Sequence, residues 1–309
     1  MRLNRFNTIA VLFVATALTL LKDVPAAQAA TTRLFGLTES NTLLSFDPND
    51  PAETRRLSVT GINGTLLGID FRSANGLLYG VTDKNGIYTI DLVTGAATLQ
   101  NSLSPLGFTS GQQSGLDFNP AADRLRLVGS NDQNFRINVD TGVVADFDLN
   151  TVGVQPDASL AYAPGDVNAG VDPNITAAAY TNAFRGAPAG RTTQLYGIDF
   201  AQDVLVLQNP PNAGTLNTVG SLGVDFGALG GFDIFSPSKG INTAFAASGS
   251  TLYKIDLPTG KATAQGTIGR GDTPLIGLAA TSVPEPATLS SLIGLGIVGL
   301  LSRRRRSAQ

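Results

Sequence analysis

Gly68-Ile69-Asp70-Phe71 decides the fold, because the chain returns to it as Gly115-Leu116-Asp117-Phe118, Gly197-Ile198-Asp199-Phe200 and Gly231-Phe232-Asp233-Ile234. In Leu67-Gly68-Ile69-Asp70-Phe71 the apolar side chains share one face and Gly and Asp the other, which is the two-residue period of a strand. A second element recurs with it. Ile87-Tyr88-Thr89-Ile90-Asp91 leads to Thr94-Gly95, Phe135-Arg136-Ile137-Asn138-Val139-Asp140 to Thr141-Gly142, and Leu252-Tyr253-Lys254-Ile255-Asp256 to Thr259-Gly260. The glycines stand where a hairpin turn needs positive φ. Successive copies lie about 45 residues apart where nothing is inserted, the size of a four-stranded propeller blade.

Counting strands outward from these elements gives blades over 65–100, 114–147, 175–219 and 229–268, with no sustained helical period between them. Two remainders are left. Leu275-Ile276-Gly277-Leu278-Ala279-Ala280 reads as a first strand without successors, and residues 33–61 as three strands without a first. Joined, they complete a fifth blade, so the expected fold is an all-β, five-bladed propeller closed by pairing of its N- and C-terminal strands. Asp146-Phe147-Asp148-Leu149-Asn150 alternates like the exposed outer strand of the second blade.

Composition agrees with strands and limits the chemistry. Glycine numbers 35 in 309 residues, and Thr, Asn and Asp outweigh Glu and Lys, which suits strands joined by tight turns. Setting aside seven basic and two acidic side chains in the terminal segments leaves 14 basic against 22 acidic in the body. An acidic body without a basic stripe argues against a nucleic-acid partner. Cys and His are absent, which excludes disulfides, thiolate or imidazole zinc sites and the Ser-His-Asp triad. Any chemistry falls to carboxylates, Tyr, Lys or a hard cation with oxygen ligands.

Both ends read as addresses. Arg2 and Arg5 precede an apolar run from Ile9 to Leu21, and Ala27-Gln28-Ala29 supplies the small residues that signal peptidase requires, so residues 1–29 form a secretory signal cleaved before Ala30. At the other end, over 283–309, Pro284-Glu285-Pro286 is followed by an apolar stretch from Ala287 to Leu301 and then Arg303, Arg304, Arg305 and Arg306. Such a segment is a transmembrane helix held with its arginines in the cytoplasm, leaving the body, residues 30–282, outside the cytoplasmic membrane until the tail is processed.

This tail resembles the PEP-CTERM sorting signal of Gram-negative bacteria that make extracellular polysaccharide, recognised by the membrane protease-transferase exosortase. That resemblance implies recognition at Pro284, Glu285 and Pro286, removal of the tail, and delivery to the envelope, the cell surface or the extracellular matrix. The body resembles the secreted bacterial family of domain of unknown function 4394, through the repeated Gly-Ile-Asp-Phe elements and Ala179-Tyr180-Thr181-Asn182. Membership implies a propeller-like fold and assigns no activity and no catalytic residue.

Two places carry candidate chemistry. Asp70, Asp117, Asp199 and Asp233 recur at one blade position, so they are candidate channel carboxylates, although a repeated residue also does repeated structural work such as accepting backbone hydrogen bonds. Carboxylate pairs at a suitable separation hydrolyse glycosides. The other is an insertion over 151–174, in which Asp166, Asn168 and Asp172 offer the hard oxygen ligands that calcium prefers, without the bidentate Glu of an EF-hand loop. No Ser or Thr has a base to activate it. The expected function is therefore a non-enzymatic binding or structural propeller of the envelope or matrix, meeting extracellular polysaccharide or envelope proteins. The alternative is a secreted, calcium-assisted hydrolase such as a glycosidase.

Overall fold

Short apolar runs rich in β-branched and aromatic residues, cut by Gly, Asn and Asp at turns, form strands because each run buries its side chains against a neighbouring sheet. The computed structural model describes residues 30–284. The secretory signal and everything beyond Pro284, including the transmembrane helix read from the sequence, lie outside the described residues. Among the described residues no helix is long and apolar enough to cross a membrane.

Strands β1 (Ala30–Leu37), β2 (Thr42–Asp47) and β3 (Asp50–Ser58) make three strands of one blade. The first full blade is β4 (Leu66–Phe71), β5 (Leu78–Thr82), β6 (Gly86–Ile90) and β7 (Ala97–Ser102). The second is β8 (Ser114–Asn119), β9 (Arg124–Gly129), β10 (Asn134–Asn138) and β11 (Val143–Val144). The third comprises β13 (Ile175–Tyr180), β14 (Leu195–Asp199), β15 (Val204–Gln208) and β16 (Thr215–Ser221), with β12 (Ala161–Tyr162) from the insertion added in parallel to β16. The fourth is β17 (Gly230–Ser238), β18 (Ile241–Ser248), β19 (Thr251–Ile255) and β20 (Ala262–Thr267). Finally β21 (Gly277–Pro284) pairs with β1, giving the order β21-β1-β2-β3 and completing the fifth blade from both ends of the body.

Two details differ from the sequence reading. The outer strand of the second blade is the two-residue β11, and Asp146–Asn150 is instead a turn segment in which Asp148 accepts from the Asn150 N–H and the Thr151 hydroxyl. The Gly197–Phe200 copy lies on β14, the second strand of its blade, so Asp199 does not share the position of Asp70, Asp117 and Asp233. The innermost strand there is β13, in which Ala177 and Ala179 stand where the other copies have glycine and aspartate.

Five buried apolar clusters fill the five junctions between blades. Leu116, Leu127 and Phe135 of the second blade pack with Val81 and Ile87 of the first, and Leu37 and Ile276 of the fifth pack with Leu66 and Ile69 of the first. Glycine serves the axis as well as the turns. A Cβ on Gly115 would lie 2.5 Å from the Ala178 nitrogen, and one on Gly231 would lie 2.4 Å from that of Leu278. Innermost strands thus meet backbone to backbone, at a separation that only glycine permits.

The insertion is pinned by a buried ion network. Asp157 accepts from Arg126 Nη1 at 2.6 Å and from Arg136 Nε at 2.7 Å, while Arg126 also donates to Asn134 and Asn212. Both Arg126 and Asp157 are buried. Removing one member of a buried pair leaves the other charge uncompensated. Asp157→Ala is therefore expected to destabilise the protein by about 3–5 kcal/mol in chemical denaturation, with loss of order in the insertion.

Candidate functional site at the propeller axis

The inner strands β4, β8 and β17 each carry an aspartate to the axis. Asp70, Asp117 and Asp233 are all buried, and one carboxylate oxygen from each lies within 4.8 Å of the others. Two of them repeat one hydrogen-bonding plan. Asp70 Oδ1 accepts from the N–H of Phe71 at 2.6 Å, and its Oδ2 from the N–H of Phe118 on the next blade at 2.8 Å. Asp233 Oδ1 accepts from the N–H of Ile234 at 2.5 Å, and its Oδ2 from the N–H of Ala280 on β21. Each carboxylate thereby clasps its own strand to the following one. Asp117 stands in the same relation to Tyr180 on β13, but its Oδ1 has no hydrogen-bond partner. Ala179 and Ala279 occupy the corresponding positions of the third and fifth blades, so three blades of five supply a carboxylate.

Three carboxylates in one dry space oppose each other's ionisation. Burial, and then the neighbouring charges, hold Asp70 and Asp117 well above the usual carboxylate range. Burial also pushes Asp233 up to about 7, against the pull of its two backbone donors. The charges of Asp70 and Asp233 both act on Asp117, so the three titrate as a unit.

A polar pocket leads from solvent to this cluster. Asp70 and Asp233 stand in its wall with Arg72, Ser73, Arg185 and Ser236, and its cavity holds about 70 Å³. Arg72 does not neutralise the cluster, because its guanidinium is already engaged: it is bidentate to Asp123 at 2.8 and 2.6 Å and to Asp140 at 2.6 and 2.7 Å. These bonds hold Asp140 below the usual carboxylate range and tie the first blade to the second. Arg185 is exposed beside Gly76. Neither arginine lies in a repeated motif, so the sequence offered no signal for them beyond Arg72 following the Gly68–Phe71 element.

The remaining candidate residues have other partners. Asp199 Oδ2 accepts from the Tyr162 hydroxyl at 2.6 Å and its Oδ1 from the N–H groups of Ala201 and Gln202, so it closes a turn and anchors the insertion. Asp166 accepts from the Asn168 N–H and from both the N–H and hydroxyl of Thr218. Asn168 donates to the same Thr218 hydroxyl. Asp172 is exposed and faces Asp132, whose carboxyl is raised to about 6 by partial burial and then by Asp172.

Residues 42–279 match the domain of unknown function DUF4394. The chain belongs to that family. Residues 282–306 match the PEP-CTERM protein-sorting motif, which marks a DUF4394 protein of this kind for export, exosortase processing and sorting to the cell surface. The matched segment overlaps the closing strand β21 over residues 282–284. No curated protein matches. Similar solved structures include an auxiliary nutrient binding protein from Bacteroides thetaiotaomicron VPI-5482, 14% identical, with a TM-score of 0.37 over 69% of this chain and 56% of that one. Another is an auxiliary nutrient binding protein from Bacteroides ovatus ATCC 8483, 15% identical, with a TM-score of 0.38 over 74% and 57%. A structural genomics protein of unknown function from Bacteroides thetaiotaomicron VPI-5482 is 14% identical, with a TM-score of 0.41 over 76% and 64%. The DUF4394 chain spans less than two thirds of the length of each.

The cluster makes stability depend on pH with a definite sign. A carboxyl whose folded-state pKa is raised favours the folded state while protonated, and that contribution is lost as pH rises from the unfolded value near 3.8 through the folded one, about 7 for Asp233. In metal-free buffer, Asp117→Asn is expected to lessen the fall in melting temperature between about pH 4 and pH 7. A parallel pH profile for variant and wild type would contradict this assignment.

Proposed function

We propose that this DUF4394 protein is a non-enzymatic, surface-displayed binding propeller that meets extracellular polysaccharide through the pocket at its axis, after signal peptidase and exosortase have removed its two terminal segments. The observation that carries the non-enzymatic reading is the commitment of the carboxylates. Both oxygens of Asp70 and both of Asp233 accept backbone N–H bonds. Oxygens bonded in this way are weakened as nucleophiles and as bases. The separation speaks against an inverting glycosidase, which needs about 6.5–9.5 Å between carboxyl groups to admit its water, whereas these oxygens lie within 4.8 Å; against a retaining one, whose carboxyl groups stand about 5–5.5 Å apart, the argument is the bonding alone. Around them Ser73 and Arg185 present donors suited to the hydroxyl and carboxylate groups of a polysaccharide.

The second reading is the carboxylate-dependent hydrolase. In its favour is Asp117, the one member of the cluster with an unpartnered oxygen and a raised pKa, as a general acid requires. One experiment separates the two. The purified protein is incubated with extracellular polysaccharide from the producing bacterium, and both co-sedimentation and new reducing ends are measured. Retention without new reducing ends, weakened several-fold by Arg185→Ala, is the expected result. Reducing ends that disappear in Asp117→Asn would establish the hydrolase instead.

A further inference from the structure

We propose that Asp70, Asp117 and Asp233 hold one divalent cation, calcium by ligand chemistry, at the propeller axis, where it joins the first, second and fourth blades. The inference is independent of what the pocket binds.

Four observations lead to it. One carboxylate oxygen from each of the three lies within 4.8 Å of the others. A point equidistant from three oxygens at the widest such spacing is about 2.8 Å from each, and a small contraction brings it to the 2.3–2.6 Å of calcium–oxygen bonds. Second, Asp117, with 1% of its surface exposed, has a side-chain Oδ1 without any hydrogen-bond partner. A buried carboxylate oxygen left unpaired is costly, and a bound cation removes that cost. Third, no arginine of the pocket wall neutralises the cluster: Arg72 is held by Asp123 and Asp140, and Arg185 forms no ion pair with Asp70, Asp117 or Asp233. Fourth, the pocket past Arg72 and Ser236 supplies a route for the ion and room for the waters that complete its coordination.

The backbone clasps do not compete with the ion. A carboxylate oxygen has two acceptor directions, so one takes the N–H of Phe118 or Ala280 while the other faces the cation. Calcium is favoured over magnesium because magnesium needs bonds of about 2.0–2.1 Å in near-ideal octahedral geometry and gives up water reluctantly. The backbone-anchored carboxylates set a wider spacing. The 166–172 loop is the competing site, but among the described residues only Asp70, Asp117 and Asp233 bring three carboxylate oxygens within 4.8 Å of one another.

Purified protein dialysed against chelator and titrated with calcium chloride tests the site. The expected result is one ion bound per chain and a rise of several degrees in melting temperature, both lost in Asp117→Asn and kept in Asp166→Asn. Absence of binding in the wild type would overturn the proposal, as would binding that survives Asp117→Asn and fails in Asp166→Asn. If Asp117→Asn does not fold, wild-type crystals soaked in terbium chloride decide the matter. An anomalous peak between the three carboxylates supports the site, and its absence there contradicts it.

Discussion

The close approach of inner strands at the axis is the constraint on which the rest of this structure depends. At the second-to-third and fourth-to-fifth junctions the chain leaves no room for a Cβ at Gly115 or Gly231. Backbones that meet so closely exclude water, and any polar group among them must find a partner inside the protein. Asp70 and Asp233 answer that need by accepting one N–H from their own strand and one from the next. The same geometry brings three carboxylates together, and their mutual repulsion is the cost of using an ionisable group as the clasp.

Closure of the ring follows the same logic. The fifth blade takes its inner strand from the C-terminal end of the body and its other three from the N-terminal end. Asp233 reaches across to Ala280 on that strand, so the clasp also secures the junction at which the circle is shut. A propeller closed in this way leaves no open sheet edge between its first and last blades. The sorting-motif match begins at residue 282, within the last three residues of this closing strand.

Much of this was legible in the residues, and the parts that were not have physical reasons. The recurrence of Gly-Ile-Asp-Phe marked the inner strands of the first, second and fourth blades, because all three solve the same packing problem at the axis. Gly197-Ile198-Asp199-Phe200 has the same letters on a second strand, since a buried strand followed by an aspartate-capped turn asks for similar residues. The true inner strand there, Ile175 to Tyr180, replaces glycine and aspartate with Ala177 and Ala179, so the marker pattern is missing from it. The two short runs at the ends of the body were correctly joined into one blade, because an unpaired first strand and three strands lacking one are complementary. Pairings such as Arg72 with Asp123 and Asp140, or Arg126 with Asp157, join residues between 31 and 68 positions apart only through the fold, and no local pattern announces them.

The claim that the aspartate clasps hold the propeller together at its axis is tested most directly by amide hydrogen exchange. The N–H groups of Phe71, Phe118, Ile234 and Ala280 should be among the slowest in the protein, exchanging only through global unfolding, while the outer strands β7 and β20 exchange by local opening. Exchange at those four amides as fast as at the outer strands would show that the carboxylates do not bear the load assigned to them.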